Sequence, residues 1–108
     1  MTFEQNDGII QIKPENDIFI KSFNFNKFNK EFKNQDIILV IDFLIDSNCI
    51  NCLKNWTIEL KKNNNYLLIV VDSNEAHLLK HKYLAFVPSI IEAVDYIQLE
   101  RINKDLGL

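Results

Sequence analysis

Residues 37–56 read IILVIDFLIDSNCINCLKNW, and the parsing of this stretch decides the fold. Ile37 to Ile45 form an apolar run broken by Asp42, and the run ends at Asp46-Ser47-Asn48. Ile37–Asp42 has the continuous apolar character of a strand in the middle of a sheet covered on both faces. From residue 48 to 62 the period becomes that of a helix. Cys49, Cys52, Leu53, Trp56 and Leu60 lie along one face, with Lys54, Asn55, Lys61 and Lys62 away from it. Asn63-Asn64-Asn65 closes this helix, since asparagine tolerates the left-handed conformation on which helices often stop. The junction brings a carboxylate and a hydroxyl to a helix start, a common way to build a site.

Working outward, Tyr66–Val71 (YLLIVV) reads as a second buried strand. Asp72-Ser73-Asn74 follows, and Ser73 or Asn74 is placed to cap a short helix through about Lys82. Tyr83–Val87 is a brief last strand. Pro88-Ser89 opens a helix through about Lys104, with Ile90, Val94, Ile97 and Ile91 expected on its core side. Ser89 with Glu92 three residues later fits the capping box. Glu92, Asp95, Glu100 and Asp105 read as its wet face.

Upstream, Gly8–Lys13 and Asp17–Lys21 carry β-branched residues on either side of Pro14-Glu15-Asn16-Asp17, which predicts an antiparallel hairpin at a sheet edge. Phe25, Phe28 and Phe32 share one face of a helix expected over 23–33, packing phenylalanines on the sheet. The predicted order is β-β-α-β-α-β-α-β-α, an α/β domain over residues 1–108 with a mostly parallel central sheet and an N-terminal antiparallel hairpin.

Composition narrows the function. At 108 residues, 47% hydrophobic and 25% charged, the chain has the make-up of one globular domain. A net charge of −3 and scattered basic residues argue against a nucleic-acid partner. The longest apolar run falls well short of the ~20 residues that span a bilayer, so membrane insertion is not expected. The start, MTFEQNDGII, lacks a basic segment followed by an apolar one, which points to cytoplasmic residence and reduced thiols. With glycine only at 8 and 107, no phosphate-cradling loop can form, and no serine has the glycine neighbours of a nucleophile elbow. His77 and His81 are i, i+4, but no third metal ligand accompanies them, so solvated histidines are expected and no metal or other cofactor is implied.

The element order, with Asp46-Ser47-Asn48-Cys49-Ile50 after the central strand, resembles the STAS domain, the fold of bacterial anti-sigma factor antagonists and of some anion-transporter tails. The family motif is Asp-Ser-Ser/Thr-Gly followed by an apolar residue and a helix; here Asn48 stands for the second hydroxyl and Cys49 for the glycine. The tail VPSIIEAVDYIQLERINKDLGL is also similar to the last helix of such sequences. The resemblance implies a non-enzymatic regulatory module whose protein partner is an anti-sigma factor or serine kinase. Ser47 would be the phosphoacceptor of a switch loop made of Asp46, Ser47 and Asn48. Phosphate there would add about two negative charges and three acceptor oxygens, enough to repel a docked partner. The expected docking surface adds Ile50, Lys54 and Thr57 from the following helix.

Two other readings use the same letters. Asp, Ser and Asn are preferred N-caps, so a plain cap accounts for residues 46–48. Cys49-Ile50-Asn51-Cys52 resembles the thioredoxin dithiol, with Phe86-Val87-Pro88-Ser89 similar to the proline loop that faces it. That likeness implies an oxidoreductase whose thiol is activated at the helix start. Against it, a helical pattern begins directly after Pro88, where a thioredoxin has two more strands. Both cysteines also fall on the face with Leu53 and Trp56, where a thiol behaves as a small hydrophobe. The chain is expected to be a monomer or a weak homodimer, the latter through the hairpin edge at Ile9–Ile20.

Overall fold

The computed structural model describes residues 2–31, 34–75, 78 and 80–107. The elements run β1 (Thr2–Asn6), β2 (Ile9–Lys13), α1 (Ile18–Lys21), α2 (Phe25–Glu31), β3 (Asp36–Val40), α3 (Ser47–Lys61), β4 (Leu67–Val70), β5 (Ala85–Val87) and α4 (Ile90–Asp105), with a 3-10 turn at Ser73–Glu75. They form an α/β fold around a five-stranded sheet of order β1-β2-β3-β4-β5. β1 and β2 are antiparallel, and the remaining neighbours pair in parallel.

Period-two alternation on the inner strands sends side chains to two unequal cores. Ile37, Leu39, Leu67 and Ile69 join Ile10 and Ile12 under Ile20 of α1, Phe28 of α2, and Cys49, Leu53, Trp56 and Leu60 of α3. Ile38, Leu68 and Val70 point the other way, onto Ala93 and Ile97 of α4. The crossover helices therefore share one face, and α4 alone covers the other among the described residues. On the larger face, Trp56 lies 4.2 Å from Phe23 and 6.2 Å from Phe19 between ring centroids, so α1 and the approach to α2 are joined to α3 through aromatic packing.

The hairpin differs from expectation. Its turn is Asp7-Gly8, with φ of 52° and 75°, and Asn6 pairs with Ile9 across it. Two consecutive left-handed residues make the two-residue turn that matches strand twist, and Asp-Gly is its strongest sequence signal. β1 thus occupies the place beside β2 that Asp17–Lys21 was expected to fill. Ile18–Lys21 instead forms a helical turn, begun by Asn16 Oδ1 accepting from the Ile18 N–H at 3.0 Å. In consequence Ile9–Lys13 is an inner strand bonded on both sides, not an edge at which copies could pair.

A half-buried ion pair fastens this end of the sheet. Asp36, at the start of β3, is 3% exposed. One carboxylate oxygen accepts from the Tyr66 N–H at 2.8 Å; the other accepts from Arg101 Nη2 at 2.7 Å and Nε at 3.2 Å. Arg101 also donates to the carbonyls of Asp7 at 2.9 Å and Gly8 at 3.3 Å. A side chain at position 8 would meet Arg101 Nη2 at 3.2 Å and would need a left-handed backbone, so the turn requires glycine twice over.

Other expectations shift at their boundaries. Of the helix expected to reach Lys82, the turn at Ser73–Glu75 is described, whereas residues 76, 77 and 79 lie outside the described residues; by Lys80–Leu84 the backbone is turn and bend. In the expected phenylalanine row Phe28 is buried, while Phe32 and the Phe25 side chain lie outside what is described. No helix among the described residues is long and apolar enough to cross a membrane.

Candidate functional site

The site candidate is the junction where β3 becomes α3. The parallel ladder ends with the Ile41 N–H donating to the Val70 carbonyl at 2.9 Å. The chain then runs without regular structure over the carboxyl end of the sheet. Phe43 and Ile45 are half-buried against the larger core, and Leu44 between them is exposed. Alternation through the loop thus presents one large apolar side chain outward.

Asp46 is the N-cap. Its backbone is extended, and its side chain accepts from the Cys49 N–H at 2.8 Å, satisfying one of the orphan donors of the first turn. Its second oxygen lies 3.0 Å from Lys21 Nζ, which is also 2.8 Å from Asp17. Hydrogen bonds that Lys21 donates to Asp17 and then to Asp46 hold its ammonium well above its usual range. The Cys49 N–H, followed by Lys21, holds the Asp46 carboxyl below the usual carboxylate value. A fixed carboxylate and a fixed ammonium therefore flank the positive end of a fifteen-residue helix.

Ser47 and Asn48 follow as the first exposed residues of α3. Since Asp46 does the capping, the Ser47 hydroxyl is not the group that caps the helix. Asp46, Ser47 and Asn48, the residues expected to form a switch loop, thus stand at one helix start. At Cys49, where the STAS motif has glycine, the backbone is helical with ordinary φ, so nothing in the turn demands glycine there.

Cys49 faces inward and is fully buried. Burial, and then the neighbouring Asp46 carboxylate, push its thiol up from 9.0 to about 11. A nucleophilic thiol needs the opposite shift. Cys52 is half-buried against the same core, and both cysteines are free.

The three residues expected to dock a partner sit on the flanks of α3. Ile50 is half-buried against the core. Lys54 is half-buried, with its ammonium 5.2 Å from the Tyr83 ring centroid. Thr57 donates its hydroxyl to the Leu53 carbonyl at 3.1 Å. The outward row is Ser47, Asn51, Asn55, Ile58 and Lys62. This row was legible: it lies half a turn from the buried set Cys49, Leu53, Trp56 and Leu60.

Beside the junction a groove of about 800 Å³ opens between the 41–45 loop and the end of β4. The charged residues lining it, Asp42, Asp72 and Glu75, are all acidic. Sequence reading missed it because it is built by two strand ends far apart in the chain. His81 is not arranged as a ligand: its Nδ1 accepts from the Tyr83 N–H at 3.2 Å, and His77 lies outside the described residues. No group of three or more His, Cys, Asp or Glu side chains able to hold a metal ion occurs among the described residues.

No family model matches the chain, and neither a curated protein nor a solved structure does.

Proposed function

We propose that this chain is a non-enzymatic, STAS-like protein-interaction domain of the cytoplasm, docking its partner through Asp46-Ser47-Asn48 and the outward row of α3. The partner class is that of an anti-sigma factor or serine kinase, and Ser47 is the phosphoacceptor that switches docking. The observation that carries the reading is the exposed Ser47 at the first position of α3, beside a cap made by Asp46 instead. A phosphate there meets the positive end of the helix, with Lys21 adjacent to the cap. It also adds about two negative charges beside the Asp46 carboxylate, to an α3 row (Ser47, Asn51, Asn55, Ile58, Lys62) that is otherwise neutral or basic, which makes this surface markedly more acidic. Burial pushes the Cys49 thiol up, opposite to the shift that the oxidoreductase reading needs.

Incubating the protein with ATP and a panel of anti-sigma-type serine kinases, followed by intact-mass measurement, tests this. One added phosphate is expected, absent from Ser47→Ala. Absence of phosphate across the panel, or phosphate that persists in Ser47→Ala, overturns the switch.

A further inference from the structure

α4 is apolar on two opposite sides. Ala93 and Ile97 are buried against the smaller core. Turned away from the sheet, Ile91, Leu99, Ile102 and Leu106 are 75, 57, 53 and 67% exposed. With Asp95 filling the gap, these residues step by four, four, three and four along the chain. That spacing draws one stripe down the helix, about 22 Å long at 1.5 Å per residue. Isolated exposed apolar residues need no explanation, but four on one line, interrupted only by Asp95, on a helix already buried on its other side form the kind of surface that a partner covers.

The charges beside the stripe select what covers it. Glu92, Asp95 and Asp105 lie on the outward half of α4 and are exposed. The helix's two cations both turn back toward the sheet. Arg101 is held by Asp36 and by the Asp7 and Gly8 carbonyls. The Lys104 ammonium lies 4.5 Å from the Tyr66 ring centroid and donates to the Asn64 carbonyl. Apposing two copies of this face would set carboxylates against carboxylates, with no cation of either helix at hand. An anionic membrane surface is repelled for the same reason.

We infer that the outward stripe of α4 docks a partner helix whose apolar seam is flanked by lysine or arginine. The four-three steps suit seam packing at a small crossing angle, with Asp95 as the central acceptor for a partner cation. This surface lies on the opposite face of the sheet from α3, so the inference stands independently of the Ser47 reading.

Two synthetic helical peptides of about four turns test it, with the same leucine seam and either lysine or glutamate flanks. Methyl NMR titration locates binding, and calorimetry measures it. The lysine peptide is expected to shift the methyls of Ile91, Leu99, Ile102 and Leu106. It should bind about tenfold or more tightly than the glutamate peptide, with the margin shrinking as salt rises. Asp95→Lys should shrink that preference markedly and leave the thermal midpoint in place. Equal binding of both peptides, shifts confined to α3, dimerisation through α4 in sedimentation without peptide, or tighter binding to phosphatidylglycerol vesicles than to the lysine peptide would each overturn the inference.

Discussion

The two long helices cover opposite faces of one sheet under different rules. α3 is strictly two-sided, with Cys49, Leu53, Trp56 and Leu60 buried and asparagines, a lysine and a single isoleucine outward. α4 buries only Ala93 and Ile97 fully and carries its larger apolar side chains away from the sheet. What α4 lacks in apolar contact it replaces with a charged clamp, Arg101 on Asp36. One helix is held by a broad apolar face and the other by a smaller one with a polar tether beside it, and each mode fails in its own way.

The largest effect is expected where shape rules. Trp56→Ala removes the side chain that joins Phe19 and Phe23 to α3, and it should cost about 4 kcal/mol in denaturant unfolding, as buried Trp→Ala changes do. A cost under about 1 kcal/mol would show that the aromatic cluster collapses to fill the space.

The tether should break by a different route. Arg101→Ala leaves the Asp36 carboxylate buried with the Tyr66 N–H as its one remaining partner among the bonds described above, and about 3 kcal/mol is expected. Adding Asp36→Asn to Arg101→Ala should recover part of that loss, because no unpaired charge then stays buried. A double variant as unstable as the sum of the two single changes would mean that the pair acts as packing rather than as a charge tether.

These contrasts also explain what the sequence disclosed. The central strand, the long helix after it and the capping of α3 and α4 were legible because strong periodicity and short-range chemistry set them. The Asp7-Gly8 turn carried a readable signal that the apolar letters of Asp17–Lys21 outweighed. Five residues such as DIFIK fit either a strand or a helical turn, and pairing elsewhere in the sheet decides between them. Asp36 and Arg101 could not be paired from sequence, since 65 residues separate them and neither stands in a motif. On α4 the letters Ile90, Ile91, Val94 and Ile97 were assigned to one core side, but geometry buries Ala93 and Ile97 and turns Ile91 outward. A helix apolar on both sides gives periodicity no face to choose. At the junction the helix start at residues 46–48 was legible, while the flank position of Ile50, Lys54 and Thr57 followed from where the buried row is centred.

The smallest effect belongs to the α3 cap, where a local bond is set against both of the larger devices. Asp46→Ala removes the acceptor for the Cys49 N–H, and a small but measurable loss of stability is expected from the lost cap. Little should be added by losing the Lys21 contact, because exposed ion pairs contribute little. The pH dependence has a definite sign. The folded protein holds the Asp46 carboxyl below its ordinary value of 3.8, so the ionised cap contributes stability above that value and loses it as pH falls through the lower folded value. The difference in unfolding midpoint between wild type and Asp46→Ala should therefore be constant near neutral pH and shrink in acid. A difference that grows in acid would mean that the protonated side chain caps better than the carboxylate, contrary to a helix start that favours negative charge.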